Sequence, residues 1–216
     1  MTRFAMSRRR RFVWFILCLL FAAILILLDH NFVPNKKLLG HEGKNLSGSI
    51  TSDFEKYHEK TFMVINVVDG DTIDINIPDG QYKHTRIRLW GVDTPETKSE
   101  KIGEMYFGSQ AAEFTNRVVL NKHVCLYLEK HRTRGKYGRL LAYLQIPDSR
   151  FLNEVLLAEG YAYADLRFKH SFFNKYKQLQ AAARSKKRGL WQNVKKNQLP
   201  QWLQRIKPNL LKNQAR

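Results

Sequence analysis

Residues 61–146 hold five short runs of strand-forming side chains, each closed by turn residues, with one helical stretch among them. The runs cover residues 62–68, 72–77, 82–92, 123–128 and 139–146, and Pro78, Asp79 and Gly80 mark the second break. The first three read as antiparallel neighbours. Helical periodicity follows over 106–120, where Ala111, Phe114 and Val118 share a face. It returns over 151–159, with Leu152, Val155 and Leu156 on one side, and over 171–187, with Gly160 and Gly189 as C-terminal stops. Strands with helices inserted and appended give an α+β domain. A small five-stranded barrel is one economical closure, although composition does not single it out.

The N-terminal part follows different physics. Residues 12–28 form an uncharged apolar run directly after Arg8, Arg9, Arg10 and Arg11. At about 1.5 Å per helical residue such a run reaches roughly 25 Å, enough for one bilayer crossing. A cleaved secretory signal has the same basic start and apolar middle, but Leu27, Leu28, Asp29 and His30 offer no small-residue cleavage site. The arginines favour a cytoplasmic N-terminus and an outward-facing remainder, in a periplasm or the extracellular space, or across an organelle membrane in a eukaryote. Phe15, Ile16 and Leu17 ahead of Cys18 lack the small pair of a lipidation site, and Cys18 and Cys125 form no disulfide framework. The expected organisation is a basic segment 1–11, a transmembrane anchor 12–28, a stalk 29–60, a folded domain 61–191 and a basic tail 192–216.

The formal charge of +18 is unevenly spread, because residues 184–216 carry basic side chains and no acid. Such a run is either a solvated end or a contact for nucleic acid or anionic lipid. Within it Leu199, Trp202, Leu203, Ile206 and Leu210 recur at helical spacing, with Pro208 limiting any helix, so a short amphipathic surface helix is expected. No obligate protein partner is implied.

Three polar clusters accompany turn residues: Asp69, Gly70, Asp71 and Thr72 between the first two strands; residues 88–96 (RLWGVDTPE) leaving the third; and Lys136, Tyr137, Gly138 and Arg139 entering the fifth. Each alone is ordinary turn chemistry. Together they offer hard oxygen ligands beside rigid guanidinium forks.

The series VVDGDT, RIRLWGVDTPETK, KYGRLLAY and LNEVLLAEGYA resembles the staphylococcal nuclease (thermonuclease) family over about residues 61–191. The resemblance implies a five-stranded OB-fold barrel with three helices and calcium-dependent cleavage of DNA and RNA phosphodiester bonds. It assigns Asp71 and Asp93 as calcium carboxylates, with Thr94 supplying a backbone carbonyl. Glu96 matches the general base, and Arg88 and Arg139 match the two catalytic arginines. Lys136 and Tyr137 match contacts to a terminal phosphate, while Asp69 and Thr72 support the metal ligands. Two positions depart from the family pattern: Gly135 stands where an acid is common, and Leu166 where the substrate-stacking tyrosine is expected, leaving Tyr161 or Tyr163 as replacements. A binding platform without catalysis is the alternative, and the complete acid and arginine set weighs against it.

Overall fold

A computed structural model describes residues 52–97 and 103–211. The expected anchor at 12–28, the basic 1–11 segment and most of the stalk lie outside the described residues. Among the described residues no helix is long and apolar enough to cross a membrane.

Five strands close into a barrel. They are β1 (Lys60–Asp69), β2 (Thr72–Ile75), β3 (Thr85–Leu89), β5 (His123–Tyr127) and β6 (Leu140–Gln145), in the order β1-β2-β3-β6-β5. β1 serves two partners: Lys60 to Met63 pair with β5, and Val64 to Asp69 pair with β2. Register shifts between Val64 and Asn66 and between Val67 and Asp69 coil the strand so that it can do both. β2 and β3 are antiparallel, whereas β3 and β6 run parallel and seal the barrel. The interior is filled by Val64, Ile73, Ile75, Ile87, Leu126, Leu140 and Leu144, all fully buried.

The third strand is shorter than its sequence run, because Asp79 and Tyr82 bridge to each other and hold residues 79–82 as a turn. A second, two-stranded sheet joins β4 (Val92–Asp93) to β7 (Tyr163–Ala164). No alternation announces strands of two residues.

Three helices match the expected stretches: α1 (Gly108–Val119), α2 (Leu152–Ala158) and α3 (Phe173–Ser185). α1 buries Ala111, Thr115 and Val119, a face rotated from the expected one, and leaves Phe114 and Val118 half-buried. The rotation lets the Thr115 hydroxyl donate to the Gly70 carbonyl at 2.6 Å, tying α1 to the β1–β2 turn. Gly160 and Gly189 both have positive φ, and their backbones meet so closely that a Cβ on either would lie about 2.3–2.4 Å from main-chain oxygen. The Leu190 N–H completes the contact at the Gly160 carbonyl.

A further helix, α4 (Gln201–Ile206), ends before Pro208. The surface helix expected here packs instead on the protein itself: Leu199 and Leu203 are buried with Leu190, Trp191, Val194 and Tyr163 in a second apolar cluster, and only Ile206 of the stripe is exposed. Residues 194–203, assigned above to a basic tail, are thus part of the packed body.

Candidate active site

Strand register assembles the site. Thr72 at the start of β2 sits opposite Arg88 near the end of β3, and Arg88 sits opposite Leu141 of β6. Arg139, immediately ahead of β6, therefore reaches the same barrel rim. The turn at Trp90 and Gly91 then delivers Asp93 on β4.

Asp71 is fully buried and accepts three hydrogen bonds. Its Oδ2 accepts the Thr94 N–H at 2.7 Å, and its Oδ1 accepts the Thr72 hydroxyl at 3.2 Å and the Arg88 guanidinium. Asp69 shapes the turn by accepting the Asp71 N–H at 3.0 Å. Arg88 forks between Asp71 and Asp93. Thr72 accepts from Arg139 Nη1 at 3.3 Å, so one hydroxyl joins the second arginine to the first carboxylate.

Burial pushes the Asp71 carboxyl well above the usual carboxylate range, and Asp69 and Asp93 add to this while Arg88 and the Thr94 N–H pull it back. Burial also disfavours the charge on Arg88, but Asp71, Asp93, Asp69 and Glu96 outweigh it and hold the guanidinium protonated. Glu96 is raised by its own burial and then by Asp69, against the opposing pull of Arg88.

Asp69, Arg88, Asp93, Glu96, Lys136, Tyr137 and Arg139 line one cavity of about 400 Å³. Asp71 and Thr94 stand behind its wall, bonded to one another, and Thr72 bridges Asp71 to Arg139. The structure thus brings the ten sequence-assigned residues into one neighbourhood.

The stacking replacements fare differently. Tyr163 is fully buried in the second cluster, and Tyr161 stacks on Phe114 with ring centroids 4.1 Å apart, so neither lines the cavity. Leu166 packs against the core. The aromatic that does line the cavity with Tyr137 and Trp90 is Phe168, 47% exposed and flanked by Arg132 and Arg167. Phe168 lies two residues beyond Leu166, and a search for tyrosine alone passes over it.

Arg134 was also missed. It binds Asp53 and Asp79 and donates to the Gly138 carbonyl at 2.9 Å, fixing the loop that presents Lys136 and Tyr137. Only the fold brings Asp53, in a helical lead-in over 52–57, to this loop.

Gly70 leaves no room for a side chain: a Cβ there would lie 2.8 Å from Thr94 Oγ1 and Cγ2. Thr94 is β-branched and buried, so it cannot step aside. Gly70→Ala should cost about 1–3 kcal/mol in denaturant unfolding and pull the Thr94 N–H off Asp71.

His170, on the cavity wall, packs over Gly91 and bonds the Tyr143 hydroxyl through Nδ1 at 3.1 Å. Burial lowers its pKa, with Glu129 and Asp165 acting in the opposite sense. The unfolded chain therefore takes up this proton first, so the stabilisation is complete above about pH 6.5 and is lost as pH falls through the lower folded-state value. His170→Asn should lose less Tm than the parent between pH 7.5 and 5.5.

The profile of the family described as "Staphylococcal nuclease homologue" matches residues 86–193. The chain is 37% identical over 137 residues to the thermonuclease of Staphylococcus hyicus, covering 63% of this chain and 78% of that protein. The chain belongs to the staphylococcal nuclease homologue family. A thermonuclease of Staphylococcus intermedius is 36% identical over 137 residues, covering 62% of this chain and 77% of that protein. An SPbeta prophage-derived endonuclease of Bacillus subtilis (strain 168) is 32% identical over 126 residues, 57% of this chain and 41% of that protein. As a member of this family the chain is a nuclease, a hydrolase of phosphodiester bonds. The family profile begins at β3, so Asp69, Asp71 and Thr72 enter the site through strand pairing from outside the matched residues.

Proposed function

We propose that the chain is a calcium-dependent endonuclease cleaving DNA or RNA by in-line attack of water on phosphorus. The observation that carries this reading is Arg88, which clamps Asp71 and Asp93 while facing a cavity shared with Glu96, Arg139, Lys136 and Tyr137. Four carboxylates, Asp71, Asp93, Asp69 and Glu96, act on that one guanidinium. Among the described residues no three His, Cys, Asp or Glu side chains form a metal cage. Asp71, Asp93 and the Thr94 carbonyl, all hard oxygens, would hold a calcium ion, a cation suited to such a sparse oxygen set. When bound, such an ion would supply positive charge to the reacting phosphate.

The chain's own groups do the remaining work. Glu96 orients the attacking water and takes its proton on a carboxylate oxygen while the P–O bond to the sugar oxygen opposite the water breaks and that oxygen takes a proton from solvent. Arg88 and Arg139 donate to the nonbridging oxygens as charge builds there, and their protein contacts preorganise both forks. Lys136 and Tyr137 hold a neighbouring phosphate, and the Tyr137 and Phe168 rings give unpaired bases a stacking surface. The uncharged run at 12–28 and the arginines ahead of it support a tethered enzyme with its domain outside the cytoplasm; protection of the domain from external protease in intact cells would overturn that placement.

Incubating the full chain with single-stranded DNA or with RNA, in millimolar calcium or in excess chelator, tests the catalytic reading. Cleavage is expected only with calcium, with substrate binding that weakens steeply as salt rises. Binding without cleavage under both conditions identifies a platform instead.

A further inference from the structure

The segment beyond α3 reaches back into the active site. α4 is seated by Leu199 and Leu203, and from it the Trp202 indole N–H donates to Asp93 Oδ2 at 2.7 Å. The other oxygen, Oδ1, takes Arg88 and, at 3.1 Å, Arg167 Nη2. Arg167 lies over the Trp202 ring at 4.6 Å and is itself held by Asp165 through Nε and Nη2, both at 2.8 Å. Asp93 is therefore fixed from both sides: a guanidinium pair on one oxygen and an indole on the other.

We propose that Trp202 is a positioning residue for the metal-binding carboxylate, so that the C-terminal segment forms part of the calcium site; this rests on the calcium reading above. The carboxylate sits on a two-residue strand, whose backbone is held by its ladder to β7 and by Arg88 Nη2 donating to the Val92 carbonyl at 3.4 Å. The indole donor removes the rotational freedom of Asp93 that binding would otherwise have to remove. It also occupies one lone-pair direction of Oδ2, restricting the orientations in which Asp93 can receive a cation. Trp is suited to this task because it is a donor only and offers the site no competing acceptor. Its ring meanwhile supports Arg167 by cation–π contact. Groups that hold a metal ligand from behind typically control affinity by about ten- to a hundredfold.

The test is calcium titration calorimetry on the full chain, comparing the parent with Trp202→Phe and Trp191→Phe. Trp202→Phe keeps a ring against Arg167 and removes the donor. Trp191 belongs to the same apolar cluster, but its indole N–H reaches no acceptor, so its variant reports general loosening of the segment. Trp202→Phe should weaken calcium binding by about tenfold or more. Trp191→Phe should bind within about twofold of the parent, and the Trp202→Phe cleavage rate should recover once calcium saturates. Parental affinity in Trp202→Phe, equal weakening in both variants, or a rate that stays low at saturating calcium each overturns the proposal while leaving the calcium reading standing. A parent that binds no calcium overturns both.

Discussion

Arg88→Met should lower cleavage by at least about a thousandfold and destabilise the fold at the same time. The catalytic loss follows from removing a preorganised guanidinium from a phosphoryl transition state, where single arginines are worth roughly 10³–10⁵ in rate. The stability loss has a separate origin. Asp71 has no solvent exposure, and Arg88 is the side-chain cation bonded to it. Removing one partner of a buried pair costs about 3–5 kcal/mol, because the other is left charged in a poor solvent or must take up a proton. A double-mutant cycle separates the two effects. Adding Asp71→Asn to Arg88→Met should return much of the stability measured by denaturant unfolding, since neither buried group is then charged, and should return none of the activity.

Glu96→Gln is expected to act in the opposite sense on stability. Cleavage should fall by about 10²–10⁴ through loss of the base, with calcium affinity nearly unchanged because Glu96 is not among the proposed ligands. Burial and the neighbouring Asp69 raise the Glu96 pKa, so the unfolded state gives up this proton more readily than the folded one. At pH values above the folded-state pKa the carboxylate therefore costs stability, and the neutral amide removes that cost. A variant that is inactive, binds calcium and melts no lower than the parent fits these roles. Parental cleavage by this variant would remove Glu96 as the base.

The site residues legible in the sequence are those lying in the motifs that carry the family resemblance. Asp71, Arg88, Asp93, Glu96 and Arg139 each sit in a motif of turn residues and short strands, and the strand pattern around them brought their neighbourhood with it. Phe168, Arg134, Arg167 and Trp202 carry no such mark. Trp202 meets Asp93 across 109 positions of chain and Arg134 meets Asp53 across 81, so no local window joins either pair. The helical stripe over 199–210 was visible, but amphipathicity says that a face is covered and not what covers it. Here Tyr163, Trp191 and their neighbours cover Leu199 and Leu203. The two short strands β4 and β7 escaped for a related reason: their pairing is decided by where the barrel leaves its loops, and two residues carry no period.

The parallel pairing of β3 with β6 has a bearing on biosynthesis. Arg88 and Arg139 become neighbours only when the last barrel strand docks, long after the carboxylates have left the ribosome. A nascent chain that stops short of β6 therefore has acids without its second arginine, and one that stops short of α4 leaves Asp93 held from one side only. The rim is therefore complete only once the chain through α4 has been made.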